Sequence, residues 1–507
     1  MMFFQTARLP YRDALSYYQQ LRGVVPSCLF ESVSAVDKSG RMSLIGLDPT
    51  LEFTGKDDHL YVRLLHPRGQ VFFDYLQGMY TPFLEKETPQ ELVFYMPKMP
   101  FHGPESERLE RQNIVQPLRS LLRHFHLNEK NFCGLYGALA YRFVYLFEDL
   151  KFEKPCEEPD FHLFLFDNVL LFNHLTQDLN LYVTRPEMRD AEQDLASLLQ
   201  KFGVRSLEFG VRSLEFGGEE FGGEEFGGVE PLKVGAISSS PTDAEFKEQV
   251  ARGVQLCNEG ELLEIVLCRK LTAPVQGNLL SLYEHYRRVN PSPYLFYFDF
   301  GNETLLGASP ELMLRYENGR ATIRPISGSI RRSENPIEDH HLMMELLNSP
   351  KENSELDMLI DLGRNDLARI CRPGINIDHY RIVEKYSHVT HTVAQLSGEL
   401  EDRYTGFDAL IASLNAGTLT GAPKIAAMEY IEQIETHSRG YYGGCIGWLL
   451  FNGEVNTAIT IRTAHVRDGE LSYCSGATIL YESVPENEWK ETNIKAGAFM
   501  QALSNVV

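Results

Sequence analysis

Apolar runs and helix-like apolar repeats follow one another irregularly along the 507-residue chain. Short runs rich in aromatic, leucine or β-branched residues predict strands, for example over 161–166, 179–183, 303–306 and 455–462. Apolar positions that recur with a helical period predict helices over 114–125, 244–259, 338–347, 423–434 and 487–503. Because helices and strands do not alternate regularly, the pattern predicts an α+β fold in which sheets pack face to face with helices outside.

A repetitive segment divides the chain. GVRSLEF occurs twice and GGEEF occurs twice within 203–228. Such short units cannot form a solenoid, and their glycines and glutamates predict an extended, flexible linker. A surface hairpin or a partner-binding segment built on the alternating phenylalanines is the alternative. The linker predicts an N-terminal part over 1–202 and a C-terminal part over 229–507, and the C-terminal part contains most of the polar motifs.

Composition excludes several classes of protein. The net charge of −22 disfavours nucleic-acid binding, which needs a basic face. No apolar run approaches the roughly 18 to 20 residues of a membrane span, so no membrane association is expected. The eight cysteines form no C-x-x-C pair, which favours a reducing compartment and does not indicate zinc. We therefore expect a cytoplasmic globular protein.

Two pairs of glutamates lie on predicted helices. Glu352 and Glu355 form one pair, and Glu488 and Glu491 form the other. Residues three apart share a helix face, so each pair projects its carboxylates to one side. If the two faces meet, the carboxylates converge in a site that suits Mg²⁺. Solvated helix surfaces carry the same spacing, so the pairs alone do not distinguish a metal site from an exposed face.

Other segments offer groups that could bind anions or transfer protons. The stretch NAGTLTGAPK at 415–424 predicts a glycine-rich turn before a helix, either an anion site or an ordinary turn. Arg462, at the end of a β-branched run, can grip a carboxylate with two parallel hydrogen bonds. Glu311 and His391 are candidates for acid and base work, although a lone histidine is more often structural.

Taken together and in order, these motifs resemble those of the chorismate-utilising enzyme family. The matching segments are GASPE (307–311), PISGS (325–329), KENSE (351–355), DLGRNDLARI (361–370), GTLTGAPK (417–424), YGGCIG (442–447), TIRTA (460–464) and ESVPENEWKETNIKA (482–496). LFES (29–32) and FEDL (147–150) extend the resemblance weakly into the N-terminal part. The family implies a fold of face-to-face antiparallel β-sheets flanked by helices.

The resemblance also implies a magnesium cofactor and chorismate as substrate. Mg²⁺ would be bound by Glu355 and Glu491, with Glu352 and Glu488 as outer or water-mediated partners. A magnesium ion bridging a carboxylate lets an acidic protein bind the chorismate dianion. The implied substrate contacts are the side chains of Tyr442 and Arg462 and the backbone at Gly328, Ser329, Gly476, Ala477 and the neighbouring Thr478.

Positions that vary within the family favour its anthranilate-forming branch. Members that add water use a lysine base where this chain has Glu264. Members that make 4-amino-4-deoxychorismate use a lysine nucleophile where it has Ser327, a weak nucleophile without a base. The implied reaction is ammonia attack at C2 with loss of the 4-hydroxyl, protonated by Glu311, and then pyruvate elimination involving His391. Thr418 would lie beside the ring.

Alternatives remain open at this point. The chain could be a 2-amino-2-deoxyisochorismate synthase, a 4-amino-4-deoxychorismate synthase, or a non-enzymatic paralogue that binds tryptophan. It departs from the usual family residues at Glu264 (Gln), Ser327 (Ala), Ser329 (Thr), Leu356 (His) and Thr478 (Gly). These changes alter the expected pocket lining, and a β-branched residue at 478 crowds a backbone contact that glycine permits.

LFES and NPSPYL together resemble the family's tryptophan feedback site, although Met42 stands where the family offers a lysine. The matching positions for this L-tryptophan effector are Glu31, Ser32, Pro293, Tyr294 and Leu295.

No glutaminase motif is convincing in this chain. Cys445 has the spacing of a nucleophile turn, but it lies inside the substrate motif YGGCIG. The resemblance implies that ammonia comes from a separate glutamine amidotransferase subunit, in a hetero-oligomer.

Overall fold

The computed structural model describes residues 2–21, 26–32, 42–101, 103, 105–201, 231–385 and 389–506. The predicted linker lies outside the described residues, and the division of the chain at 203–228 stays a prediction. Within the described residues, the strands form two sheets of 13 strands each, and every strand pair is antiparallel.

The first sheet joins strands from both sides of the linker. In spatial order it contains β1 (Phe3–Leu9), β11 (Asp178–Arg185), β10 (Asn168–Asn173), β3 (Met42–Leu47), β2 (Ser27–Glu31), β15 (Tyr294–Asp299), β16 (Glu303–Ser309), β25 (Thr463–Arg467), β26 (Glu470–Ile479), β14 (Glu264–Gln276) and β12 (Lys233–Val234), and β13 (Ser238–Ser240) and β22 (Gly421–Ala422) also pair with β14.

The second sheet also joins strands from both sides of the linker. In spatial order it contains β19 (Ile326–Arg331), β21 (Val389–Glu399), β18 (Arg320–Ile323), β17 (Leu312–Glu317), β24 (Val455–Ile459), β23 (Cys445–Leu450), β8 (Gly134–Leu139), β9 (Phe161–Phe166), β4 (Leu51–Lys56), β5 (His59–Leu64), β7 (Glu91–Tyr95) and β6 (Leu84–Glu87), and β20 (Asn376–Lys385) pairs with β21.

The helices of the described residues pack against the sheets and against one another. They are α1 (Ala14–Gln20), α2 (Gln70–Tyr80), α3 (Gln116–His124), α4 (Met188–Lys201), α5 (Asp243–Glu259), α6 (Leu279–Val289), α7 (Pro336–Asn348), α8 (Pro350–Ala368), α9 (Gly406–Ser413), α10 (Gly417–Thr420), α11 (Lys424–Ile434) and α12 (Pro485–Ser504). Within the same residues, no helix has the length and apolar character that crossing a membrane requires.

An aromatic layer fills the space between the two sheets. Phe164 of β9 stacks on Phe298 of β15 with ring centroids 6.0 Å apart, and Phe30 of β2 meets Trp448 of β23 edge to face at 5.5 Å. Alternate side chains of a strand point to opposite faces, so the other face of each sheet is free to pack on helices. The first sheet packs on α1, α4, α6 and α12, and the second on α2, α3, α8 and α9.

The predicted architecture is confirmed, and one predicted strand is wrong at its end. The run over 455–462 forms a strand only to Ile459. Ile461 N–H then donates to the carbonyl of Ile459, and Arg462 adopts a left-handed backbone with φ 52°. The β-branched run therefore ends in a tight turn, and Arg462 does not continue the strand.

Candidate active site

The two glutamate pairs lie on α8 and α12, as their spacing predicts. Ser349 begins α8 by accepting a hydrogen bond from Glu352 N–H, and Pro350 occupies the first helical position. α12 likewise begins at a proline, whose missing N–H costs nothing there. Both glutamate pairs therefore lie near the beginning of a helix, where the helix dipole favours negative charge.

The two pairs are close enough for a charge on one helix to raise the pKa of a carboxyl on the other. The pKa of Glu352 is raised by burial and by the charge of Glu491 on the other helix. Burial and Glu352 raise the pKa of Glu355 to about 7, and burial and Glu491 raise that of Glu488. Carboxylates that repel one another in a half-buried site favour a hard divalent cation with oxygen ligands. The set therefore fits Mg²⁺.

Among the described residues, no three of these carboxylates bring ligand oxygens close enough to form a closed cage. Glu355 and Glu491 can still each supply one ligand, because Mg²⁺ usually takes one or two carboxylates and keeps several waters. The arrangement thus fits a metal site with few protein ligands.

Lys495 is a central residue that the sequence reasoning did not single out. Its ammonium contacts Glu491 Oε1 at 2.7 Å and donates to the carbonyl of Gly476 at 3.0 Å. Its charge also acts on Glu311 and His391. Two signals were available: its place inside the family motif ESVPENEWKETNIKA, and its position one helical turn after Glu491, because residues four apart lie on one helix face.

Glu311 and Thr418 are brought together from distant segments. Thr418 Oγ1, in the one-turn helix α10, donates a 2.9 Å hydrogen bond to Glu311 Oε1. Burial raises the pKa of Glu311 to about 8, against the lowering effects of Thr418 and Lys495. The side chain is therefore protonated at neutral pH and can donate a proton to a leaving group.

His391 lies on β21, opposite Ser329 of the neighbouring strand β19. Its Nδ1 donates to the carbonyl of Gly328 over 3.1 Å. Burial, and then the positive charges of Arg462 and Lys495, lower the pKa of His391 to about 4. The imidazole is thus neutral at physiological pH, with the proton on Nδ1 and Nε2 as the basic nitrogen.

Gly328 allows β19 to approach α8. Its φ is +71°, a conformation that favours glycine. A Cβ at this position would lie 2.8 Å from Glu352 Oε2 and 2.8 Å from Leu346 Cδ1. The backbone predicted to contact substrate therefore lies directly against the carboxylates predicted to hold the metal.

The other predicted substrate contacts lie around the C-terminal end of β26. Gly476, Ala477 and Thr478 follow one another on β26 and pair with β14. A Cβ at Gly476 would meet the hydroxyl of Tyr442 at 2.5 Å, so glycine lets that ring pack against the strand. Arg462 donates to the carbonyl of Lys495, which links the arginine to α12.

Glu264 and Ser327 are buried polar side chains next to the carboxylates. Neither oxygen of the Glu264 carboxyl has a hydrogen-bond partner among the described residues. Burial and the charge of Glu355 raise the pKa of Glu264 to about 8. Ser327 is 3% exposed. Its hydroxyl has no hydrogen-bond partner among the described residues, but it lies close enough to Glu355 to lower the pKa of that carboxyl. Both departures from the family pattern therefore lie at the metal-candidate site.

The five predicted effector residues also come together. β2 pairs with β15 so that Glu31 is opposite Leu295. Ser32 follows Glu31 in sequence, and Pro293 and Tyr294 precede Leu295. The Glu31 carboxylate is buried and accepts from the Tyr283 hydroxyl at 2.6 Å, and it pairs with Arg287 at 2.8 Å. Neither partner was apparent from the sequence motifs, because both belong to α6.

Known proteins share both the sequence and the fold. Residues 82–501 match the family described as chorismate binding enzyme. Anthranilate synthase component 1 of Acetivibrio thermocellus is 35% identical over 73% of this chain and 75% of its own length. The same component from Neisseria gonorrhoeae is 32% identical over 97% of this chain and 92% of its own.

Solved structures agree. Anthranilate synthase component I of Streptococcus pneumoniae superposes with a TM-score of 0.69 at 26% identity, covering 97% of this chain and 99% of that one. The menaquinone-specific isochorismate synthase of Escherichia coli gives 0.67 at 16% identity, over 99% of this chain and 95% of its own, and shows the shared fold alone. The chain therefore belongs to the chorismate binding enzyme family.

Proposed function

We propose that this chain is the large component of an anthranilate synthase, which aminates chorismate at C2 with ammonia and eliminates pyruvate. The observation that carries the proposal is that the site contains both a carboxyl group that is protonated at neutral pH and an imidazole that is neutral there. Glu311 has a pKa of about 8 and is a proton donor, whereas His391 has a pKa of about 4 and is a proton acceptor. Two groups whose pKa values are pushed apart in this way fit an acid role and a base role.

Substrate binding rests on positive charge next to the carboxylates. Lys495 and Arg462 stand at the end of β26, with the Tyr442 hydroxyl beside Gly476. Their charges suit the carboxylates of a chorismate dianion. Glu355 and Glu491 would hold Mg²⁺, with Glu352 and Glu488 outside them. Bound there, the ion would neutralise substrate charge and orient the ring.

The acid step uses Glu311. Ammonia attacks C2, both ring double bonds shift by one position, and the bond from C4 to its hydroxyl breaks. The new ammonium group gives up its extra proton to solvent. The protonated Glu311 carboxyl, held by Thr418, gives its proton to the departing oxygen, which leaves as water. Ammonia carries its own lone pair, so this step needs no lysine base at position 264, and this chain has Glu264 there.

The elimination step uses His391. The neutral imidazole takes the proton from C2 of the aminated intermediate, the bond from C3 to the enolpyruvyl oxygen breaks, and the ring becomes aromatic. Pyruvate leaves once its enol carbon takes up a proton. The hydrogen bond from Nδ1 to the Gly328 carbonyl orients the ring so that Nε2 is the accepting nitrogen.

The same proposal includes a source of ammonia and an effector. Ammonia would come from a separate glutamine amidotransferase component, which the name component 1 of the relatives supports. L-tryptophan would bind where β2 meets β15, near Glu31 and Leu295. We expect ammonium salts to replace glutamine for the isolated chain, and tryptophan to inhibit the ammonium-dependent reaction.

The experiment is incubation of the purified chain with chorismate, Mg²⁺ and ammonium, followed by mass and fluorescence analysis of the products. The proposal predicts anthranilate, lost when EDTA removes the divalent ion. An aminated product that keeps its enolpyruvyl group would reject the elimination step. Formation of isochorismate would show that water, and not ammonia, is the nucleophile. The absence of any product would favour a paralogue that only binds its ligand.

A further inference from the structure

Three soft metal-binding side chains converge outside the carboxylate site. They are Cys268 on β14, Cys474 on β26 and His437 in the segment after α11. One ligand atom from each lies within 4.8 Å of the other two. No other group of three or more such side chains in the described ranges comes this close. The spacing of the cysteines along the chain gave no sign of the cluster.

The antiparallel pairing of β14 and β26 brings the two thiols together. Cys268 is opposite Gly476, and Cys474 is opposite Lys270. The two cysteines are thus diagonal neighbours on one face of the sheet, a spacing at which side chains still reach one another. Both are buried, at 0% and 8% exposure respectively.

The segment that contains His437 is tied to β14 on both sides of the histidine. Glu435 accepts a 2.9 Å hydrogen bond from Cys268 N–H, and Arg439 donates to the carbonyl of Val266 at 2.7 Å. Glu435 and Arg439 also form a buried ion pair at 2.6 Å. His437 is therefore held against Cys268 by its neighbours, which lowers the cost of ordering it around an ion.

The distance between the ligand atoms of His437 and Cys268 suits tetrahedral coordination of one ion. His437 Nε2 lies 3.6 Å from Cys268 Sγ. With a zinc–sulfur bond of about 2.3 Å and a zinc–nitrogen bond of about 2.0 Å, tetrahedral ligands stand roughly 3.6 Å apart. The other ring nitrogen of His437, Nδ1, is buried and has no hydrogen-bond partner among the described residues. Within that part of the chain, no acceptor therefore holds the ring in another orientation.

We propose that Cys268, His437 and Cys474 form a Zn²⁺ site, separate from the carboxylates proposed for Mg²⁺. Two thiolates would balance the charge of the ion, so the buried site would be neutral. Three protein ligands leave a fourth position open. His437 also lines a surface cavity with Arg142 and Lys154, which provides an entry path.

The proposed zinc site lies next to the predicted substrate contacts at Gly476 and Tyr442, but its three ligands are not among those contacts. A Cβ at Gly476 would lie 2.5 Å from the Tyr442 hydroxyl and 3.4 Å from the Cys268 Cβ. Ligand type separates the two ions, since thiolate and imidazole suit Zn²⁺ whereas carboxylate oxygens suit Mg²⁺. Excess Mg²⁺ is therefore expected to leave bound zinc in place.

The test measures metal binding by the full chain, prepared under reducing conditions, stripped of metal and dialysed against Zn²⁺ in excess Mg²⁺. We expect one zinc per chain, and the thiolate charge-transfer absorption of cobalt when Co²⁺ replaces it. Cys474→Ser and His437→Gln should weaken zinc binding by more than about 100-fold, since even outer-shell changes cost 10- to 100-fold. Cys371→Ser, which removes a buried thiol outside the cluster, is the matched control.

His437→Gln changes a partly exposed side chain and guards against loss of folding in the cysteine variants. Zinc binding that is absent from the parent chain, or unchanged in both variants, would overturn the proposal. So would a mass lower by two hydrogens that shows a Cys268–Cys474 disulfide in the reduced preparation, or displacement of zinc by Mg²⁺. The result is independent of which product the enzyme makes.

Discussion

Replacing Glu311 by glutamine is expected to remove the acid function and to stabilise the fold at neutral and alkaline pH. The side chain is 6% exposed, and burial raises its pKa from the ordinary 4.5 to about 8. Glutamine has nearly the same shape, can still accept the hydrogen bond from Thr418, and never carries charge. The substitution therefore isolates the consequence of burying an ionisable group.

The sign of the effect follows from the two pKa values. Below pH 4.5 the carboxyl is neutral in the folded and the unfolded chain and costs no stability. As the pH rises toward 8, only the unfolded chain ionises, so stability is lost. At about 1.36 kcal/mol for each tenfold difference in proton affinity, the loss is about 1 kcal/mol at pH 5, 3 kcal/mol at pH 7 and 4 kcal/mol at pH 8.

Urea denaturation of the parent chain and of Glu311→Gln at pH 5, 7 and 8 measures this difference, with EDTA present in every sample. The variant should gain stability over the parent by those amounts, while losing about 10²- to 10⁴-fold in kcat. Glu345→Gln, on the exposed face of α7, is the control and should change neither quantity. A stability difference that stays constant with pH would refute the assigned protonation of Glu311.

Three further substitutions test other parts of the site. Thr418→Val removes the hydrogen bond that lowers the pKa of Glu311, so the alkaline limb of kcat/KM should move to higher pH; Thr418→Ser should restore it, and an unmoved limb would reject the contact. Glu264→Gln should raise the free energy of unfolding by about 3 kcal/mol at pH 7 in EDTA, because its carboxyl is buried and unpartnered; a loss of stability would contradict this. Arg287→Met should destabilise the chain by about 3 kcal/mol in urea denaturation, because it leaves the Glu31 carboxylate buried without its ion partner. Adding Glu31→Gln should recover part of that loss, and no recovery would reject the pairing.

The confirmed predictions of helices and strands rest on the local periodicity of the sequence. The strand over 161–166 is a continuous apolar run and forms β9 with the predicted ends. The spacing of Glu352 and Glu355 placed both on one face of a helix because three residues make almost one turn. These features depend on neighbours in sequence. The resemblance to the family then indicated which of them meet in the fold.

Features that depend on strand register or on contacts between distant segments were not predictable in the same way. Cys268 and Cys474 meet only because β14 pairs with β26 in one register. The contact between Glu311 and Thr418 joins a strand end to a one-turn helix. Arg462 departs from its predicted strand because the backbone turns left-handed, and β propensity does not encode that turn. Hydrophobic patterns report burial, but they do not report which buried polar groups share a site.

The most direct test of the proposed reaction is the ratio of pyruvate to anthranilate formed from chorismate, Mg²⁺ and ¹⁵N-labelled ammonium by the isolated chain. The account predicts one pyruvate for each anthranilate, with the label in the amino group of the product. Labelled product without pyruvate, or pyruvate without labelled anthranilate, would contradict it.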